Sequence, residues 1–308
     1  MDLRERLRNT DDVLVMFFSM QTLLVEEYGK PMETHLGEWI LAHPKEFQDS
    51  LRRLYDAGYD MAHPGTQANS PFRAKPFGVQ DKVYELNYQA VKLAKEVTPE
   101  GCYVAGLVST SNPDFLEPVG NMTYDEVYQG YREQVLPMLD AGVDLIAVGG
   151  NHVDDAAIAI KMIKNYSDIP VIGSNVFYAG KKGFHMITGH DPKTASAMLQ
   201  EAGADVVGFN CGLMTKSLDI SEWYPAATTL LKEVKQGTDR YLFASPDAGL
   251  AQLIKGKTVY PASPEEMASE VLNWVDVEAR IVGGCCGTSI EHGRRVSAVL
   301  KGRKAKKL

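Results

Sequence analysis

Two cysteines stand side by side near the C-terminus, in the stretch Ile281-Val282-Gly283-Gly284-Cys285-Cys286-Gly287-Thr288. An apolar run precedes them and a helical pattern follows. The segment therefore reads as the end of a buried strand turning sharply into a helix, with glycines supplying the tight backbone. A third cysteine has the same setting, in Val206-Val207-Gly208-Phe209-Asn210-Cys211-Gly212. Adjacent cysteines rarely bond to each other, but both can aim sulfur at one metal ion. Three thiolates from two strand ends would make a zinc site with its fourth position open, the mark of a catalytic rather than a structural zinc. Cys102, inside the apolar run 102–108, reads instead as a small core residue, the usual fate of a free cysteine. Disulfides are the less expected use, since four cysteines in 308 residues do not make a disulfide scaffold.

The elements that must position these residues alternate along the chain. Short apolar runs at 13–18, 59–63, 103–108, 145–148, 171–174, 206–210, 241–244 and 280–284 read as strands. Helical patterns fill 44–57, 81–97, 124–141, 153–165, 192–202, 221–235, 264–275 and 289–300. Three helices end in similar phrases before a strand: Asp56-Ala57-Gly58, Asp140-Ala141-Gly142 and Glu201-Ala202-Gly203. Each puts glycine where a helix C-cap belongs. Eight strands each followed by a helix predict an α/β protein, a single-domain (β/α)8 barrel over 1–308. A doubly wound open sheet is the alternative, but no glycine-rich phosphate loop follows the first strand.

On such a barrel the site forms at the C-terminal ends of the strands. Both cysteine motifs fall there, after the sixth and eighth strands. The same rule nominates Phe17 and Phe18 after the first strand, His63 and Gln67 after the second, and Gly149, Asn151 and His152 after the fourth. Asn175 and Phe177 follow the fifth strand and Asp247 the seventh. His152 is the expected catalytic residue, because histidine is the usual acid–base group near neutral pH. The others are expected to line the substrate. His185 and His190 lie further along the segment after the fifth strand and rank lower. Asp154 and Asp155 are expected simply to favour a helix N-terminus, where negative charge suits the dipole.

Composition narrows the class. Apolar residues make up 44% and charged residues 23%, as in an ordinary soluble globular protein. A net charge of −8 argues against nucleic acid, whose partners show a basic face. The apolar stretch 13–20 is too short to span a membrane, and the acidic residues before it do not suit a signal peptide. A cytoplasmic location, with reduced thiols available for metal, is the expectation. The basic tail 301–307 is expected to be a frayed, solvated end.

Together, Gly283-Gly284-Cys285-Cys286-Gly287 and Asn210-Cys211 resemble the homocysteine S-methyltransferase family. Leu41-Ala42-His43-Pro44, Leu116-Glu117-Pro118, Pro246-Asp247-Ala248-Gly249 and Tyr260-Pro261-Ala262-Ser263-Pro264-Glu265-Glu266 support the likeness, which runs from about residue 14 to residue 300. The resemblance implies that Cys211, Cys285 and Cys286 bind Zn2+ and that a substrate thiolate takes the fourth position for methyl transfer. It also exposes departures. Members carry acidic residues at the ends of strands one and four, natural partners for an amino acid's ammonium group. Here those places hold Phe17, Phe18, Gly149 and Gly150, and the segment 65–69 lacks the usual Glu-Thr-Asn-Thr phrase. A buried ammonium without a carboxylate is costly. A roomier, more apolar pocket for an uncharged or aromatic substrate is therefore expected.

Two activities remain open at this point. In one, the chain is a zinc-dependent methyltransferase with a thiol acceptor. In the other, a methyl ether, thioether or amine passes its methyl group to a corrinoid (cobalamin) on a separate protein. The expected partners are thus a small-molecule methyl donor and acceptor and a corrinoid protein, with homo-oligomer formation left open. A barrel that has kept zinc and lost turnover ranks last.

Overall fold

The structure, a computed structural model, describes residues 1–111, 116–117, 120–213 and 218–305. Eight parallel strands close a barrel: β1 (Leu14–Phe17), β2 (Met61–Ala62), β3 (Tyr103–Ser109), β4 (Leu145–Gly150), β5 (Val171–Asn175), β8 (Val206–Asn210), β9 (Tyr241–Ser245) and β12 (Ala279–Gly284). They pair in chain order, and β12 closes onto β1 with Leu14 opposite Ile281 and Phe17 opposite Gly284. Two small hairpins stand outside the barrel, β6 (Tyr178–Gly180) with β7 (Gly183–His185) and β10 (Gln252–Ile254) with β11 (Lys257–Val259). Among the described residues the helices are α1 (Leu3–Asn9), α2 (Met20–Tyr28), α3 (Leu36–Ala42), α4 (Pro44–Asp56), α5 (Pro71–Ala74) and α6 (Val83–Lys95). They continue with α7 (Tyr124–Asp140), α8 (Val153–Tyr166), α9 (Pro192–Ala202), α10 (Trp223–Lys235), α11 (Pro264–Asp276) and α12 (Ile290–Leu300).

The expected (β/α)8 barrel is the fold observed. Its strands are buried on both faces, as parallel strands under a helical layer must be. Alternate residues separate two cores. Leu14, Met16, Met61, Ala147, Ile172, Phe243, Ile281 and Cys285 fill the barrel, whereas Val15, Phe17, Ala62, Val148, Phe209 and Val282 pack outward beneath the helices. Helix α1 closes the N-terminal end by sending Leu3 and Leu7 into the inner cluster. Its Arg4 bonds Asp205 at 2.6 Å and Asp168 O, and its Arg6 bonds Asp60.

Asp205 ties this end together. It accepts from Arg4, from Lys164 at 2.8 Å and from the Val171 amide at 2.8 Å. Burial alone would raise its pKa, but the Arg4 and Lys164 bonds pull it below the ordinary value. A depressed carboxylate stabilises the fold above its unfolded pKa of about 3.9 and loses that contribution as pH falls below it. Asp205→Asn should therefore lower stability by about 1–3 kcal/mol at pH 7, with a difference that shrinks below about pH 4. Thermal melts of both proteins across pH 3–7 check this.

Three expectations change. The basic tail is not wholly frayed: Ala305 is buried and its N–H donates to Asp11 O, while residues 306–308 lie outside those described. Asp155 does not merely face the helix dipole. It is buried in the first turn of α8, accepts the Leu116 amide, and is raised to about 6 by burial. It pins the loop after β3, of which Pro118 lies outside the described residues. The seven-residue α1 and the two hairpins were not foreseen. Their strands of three residues carry no period long enough to read.

Candidate metal centre

Cys211 follows β8 at a sharp turn. Cys211, Gly212 and Leu213 all have positive φ, at 52°, 83° and 58°, a conformation that costs energy for residues with a Cβ. The turn is held by the Cys211 amide on Ser245 O (2.9 Å) and the Leu213 amide on Phe177 O (2.7 Å). A side chain at Gly212 would run into Phe177 O. Opposite, the loops after β9 and β12 interlock. The Cys285 amide donates to Pro246 O, the Ala248 amide to Cys286 O, and the Cys286 amide to Asp247 Oδ1 at 3.1 Å. These bonds fix the direction of both adjacent cysteines.

The result is one cluster. A sulfur from each of Cys211, Cys285 and Cys286 and a carboxylate oxygen of Asp247 all lie within 4.8 Å of one another. Cys211 and Cys285 are joined as a disulfide, with Cα atoms 5.3 Å apart, and Cys286 Sγ is 3.7 Å from Cys211 Sγ. The two strand ends bring the three sulfurs together, as the expected metal site requires. Cys102 stays apart as a free, half-buried thiol, as expected.

The electrostatics suit a cation. Burial raises the Asp247 carboxyl to about 8. Burial, and then the charge of Asp247, raises the Cys286 thiol to about 12. Once Cys211 and Cys285 are reduced, three thiols and a carboxyl in a dry pocket resist ionising together, and a divalent ion reverses that balance by pairing with all of them. With Cys211 and Cys285 reduced, three sulfurs and one oxygen gathered in this way are a donor set that zinc takes. Among the described residues this is the one group of its kind, and no histidine belongs to it. Asp247, nominated from sequence as a substrate contact, is thus drawn into the metal-capable set.

The other nominated residues divide. Phe18 faces into the barrel against Phe243 and His63, in the same inner cluster as the cysteines. Phe17 points the other way and packs edge-on to Tyr59. Phe177 is fully buried in the outer cluster. Phe17 differs from the pocket lining expected because strand parity sends it and Phe18 to opposite faces, whereas Phe177, in the loop after β5, packs into the outer cluster. His63 is fully buried, with Nε2 against the Met20 amide (3.3 Å) and Nδ1 against the Gly65 amide (3.1 Å). It clamps two loops and is lowered to about 4 by burial.

Asn151 receives the Tyr178 hydroxyl at 3.1 Å. His152 caps the start of α8, is buried, and is lowered by that burial. Gln67 Oε1 and both amide atoms of Asn175 are buried without a hydrogen-bond partner among the described residues.

Gly149 does not open a roomier pocket. A Cβ there would stand 2.6 Å from Ser174 Oγ and 2.7 Å from Asn210 Oδ1, which hydrogen-bond each other at 2.8 Å. Two neutral side chains from the next strands occupy the space. Ser174 and Asn210 were not nominated from sequence as pocket lining, although their positions at strand ends could have nominated them; Ser245, buried beside Asp247, was expected at the pocket from its place at a strand end.

A closed (β/α)8 barrel with a thiol-rich metal-capable cluster at the C-terminal ends of its strands defines a barrel enzyme. The sequence model described as homocysteine S-methyltransferase matches residues 19–300, and the chain belongs to that family. The chain is 26% identical over 270 residues to methionine synthase of Mycobacterium leprae, an alignment that takes in 83% of this chain and 21% of that protein. The chain thus spans about a fifth of the length of this curated relative. The metallated form of the homocysteine methyltransferase MmuM from Escherichia coli has the same fold at 19% identity, with a TM-score of 0.73 and 93% and 96% of the two chains covered. Its oxidized form superposes at 0.75, with 19% identity and coverage of 96% and 98%. Among the described residues no helix is long and apolar enough to cross a membrane.

Proposed function

We propose that Cys211, Cys285 and Cys286 hold one zinc ion, with Asp247 as the oxygen donor that an incoming substrate heteroatom replaces. The observation that carries this is the convergence of three sulfurs and a buried carboxylate within 4.8 Å. A zinc ion held there would act as a Lewis acid on the substrate heteroatom. The chain's own residues then select the substrate. Phe18 supplies an apolar wall, and Ser174, Asn210 and Ser245 offer hydroxyls and an amide where the family resemblance implies a carboxylate. Such a lining favours an uncharged or aromatic methyl-bearing molecule over an ammonium. His152, kept neutral by burial, is our choice for the group that holds the exchanged proton.

The test is a screen of methyl ethers, thioethers and amines with reduced, zinc-loaded protein, against thiol acceptors and against free cob(I)alamin. Demethylation of a neutral substrate is the expected result. Gly149→Glu adds a bearing on the lining. Because Ser174 and Asn210 fill the adjoining space, that change alone should disrupt the pocket and lower the melting temperature rather than create an ammonium site. Calorimetric ammonium binding by a stably folded Gly149→Glu protein would overturn this account of the lining.

A corrinoid on a separate protein as methyl acceptor is our second reading; the exposed β10–β11 hairpin, which follows β9 and Asp247 in the chain, is open to such a partner. In that transfer the carbon–heteroatom bond breaks with its electron pair left on the heteroatom, which takes a proton. Cobalt(I) supplies the pair for the new carbon–cobalt bond.

A further inference from the structure

We infer that Trp223 is a positioning residue of the metal-capable centre, acting through its indole N–H on the loop after β9. The inference rests on the zinc reading above and extends it to a side chain outside the donor set. Three consecutive residues, Ser245, Pro246 and Asp247, hold the backbone amides of all three clustered cysteines. The Cys211 amide donates to Ser245 O and the Cys285 amide to Pro246 O, each at 2.9 Å, and the Cys286 amide donates to Asp247 Oδ1 at 3.1 Å. One of these cysteines follows β8 and two follow β12, so segment 245–248 is their common support. That segment is itself held by two further bonds. Asp247 O accepts from Trp223 Nε1 at 2.9 Å, and Ala248 O accepts from the Ala262 amide at 2.9 Å. Of all these donors only Trp223 Nε1 belongs to a side chain.

The Trp223 bond governs the tilt of a peptide plane. Asp247 O and the Ala248 N–H are the two ends of one peptide unit, which is planar and rigid. Trp223 holds the oxygen, and the N–H donates to Cys286 O at 2.9 Å. Fixing the oxygen therefore aims the N–H, and through it the backbone of a metal-capable cysteine. Without the indole N–H, Asp247 O loses that partner in a buried place, and the plane gains from turning toward another donor. Donors to a metal must be held to within about 0.5 Å of their working places, so a turn of this plane reaches the cluster.

Local structure puts the indole where this works. Trp223 opens α10, directly after the single turn Ile220–Glu222 that Asp219 caps. Ile220 flanks the same loop: a Cβ added to Gly249 would stand 3.0 Å from Ile220 Cδ1. Trp223 is 1% exposed, and a buried indole N–H needs an acceptor. Trp274 of α11 supplies the contrast. It is fully buried too, yet its Nε1 has no hydrogen-bond partner among the described residues. Packing accounts for Trp274, whereas Trp223 adds a directed bond.

The two tryptophans make a matched pair for the test. Trp223→Phe and Trp274→Phe each remove a buried indole, but only the first removes a hydrogen bond. Amide hydrogen exchange is measured on reduced, metal-free protein, with the Val171 amide at the far end of the barrel as the reference for global opening. Zinc affinity is measured by competition with a chelator, and the absorption bands of Co(II)-loaded protein report donor geometry. Trp223→Phe should speed exchange of the Ala248 and Cys286 amides at least about tenfold relative to Val171, weaken zinc at least about tenfold and shift the cobalt bands. Trp274→Phe should match the wild type in all three. A further form carries benzothienylalanine at the three tryptophan positions, which keeps the ring shape and puts sulfur in place of each N–H. Among the described residues only Trp223 bonds through that atom, so this form should repeat the Trp223→Phe result even where the smaller ring prevents folding.

Equal effects of Trp223→Phe and Trp274→Phe would assign the change to lost packing and overturn the inference. So would wild-type exchange at Ala248 and Cys286 in the benzothienylalanine form. Faster exchange there, in a protein whose wild type takes up no zinc, leaves Trp223 positioning the cysteines and removes the zinc reading. Wild-type protein that binds zinc, with affinity and cobalt bands unchanged by loss of the indole N–H, keeps the zinc reading and removes the inference.

Discussion

Cys285→Ala, prepared and assayed under reductant, should hold less than about a tenth of the zinc that the parent protein holds, where the parent carries about one ion per chain. Cys211→Ala and Cys286→Ala should behave alike, because removing any one sulfur leaves only two sulfurs and a single carboxylate oxygen. Reductant matters, since Cys211 and Cys285 are joined and a metal needs both as thiolates. Methyl transfer should fall with the metal, by more than about a thousandfold, if the ion supplies the Lewis acid of the reaction. Asp247→Asn keeps an oxygen donor but removes a charge, and should weaken zinc about 10–100-fold without abolishing it. Cys102, on a half-buried turn before β3 and far from this group in the fold, is the control. Metal analysis of the five variants decides the assignment; zinc lost from Cys102→Ala but kept by Cys285→Ala would sink it.

Homocysteine should bind weakly to the zinc-loaded protein, or not measurably. Its ammonium needs acidic partners, and the strand ends where the family resemblance places them carry Phe17, Phe18, Gly149 and Gly150. Phe17 faces the helices, Phe18 faces the ring of Phe243, and the space beside Gly149 is taken by Ser174 and Asn210. Asp247 is engaged with the Cys286 amide inside the sulfur cluster. Each charge-assisted hydrogen bond lost is worth about 1.5–3 kcal/mol, or about one to two orders of magnitude in affinity. Titration calorimetry is the check. Micromolar affinity together with turnover to methionine would restore homocysteine as the substrate and refute the neutral-substrate proposal.

Much of this was legible in the sequence. The eight barrel strands, the alternation with helices and the meeting of Cys211 with Cys285 and Cys286 all follow from apolar runs and glycine punctuation. Position on a barrel strand is enough to bring distant cysteines together, because all strand ends share one rim. What failed depended on finer registers. Phe17 and Phe18 differ by one residue, and strand parity sends one to each core. A sequence reading that stops at the end of a strand cannot split such a pair. Asp247 joined the cysteines by accepting a hydrogen bond from the Cys286 amide, between two loops far apart in sequence, which leaves no local pattern. Gly149 announced an empty place, yet whether a glycine leaves a hole depends on Ser174 of the next strand and Asn210 of the one beyond. His63 stands at a strand end, as a catalytic residue would, but two backbone amides occupy its ring nitrogens.

The closed N-terminal end of the barrel has a consequence for engineering. Helix α1 lies across that end, and Ala305 of the C-terminal tail bonds Asp11 beside it, so both described ends of the chain emerge behind the barrel. Any module fused to either end starts on the far side from the cysteines. The six residues of β4 span about 20 Å, and the loops at either end add to that height. A flexible glycine–serine tether has a root-mean-square reach of about 30 Å at roughly 30 residues. A fused carrier on a shorter leash would be held near the barrel yet kept from its mouth, so proximity would bring no gain in effective concentration.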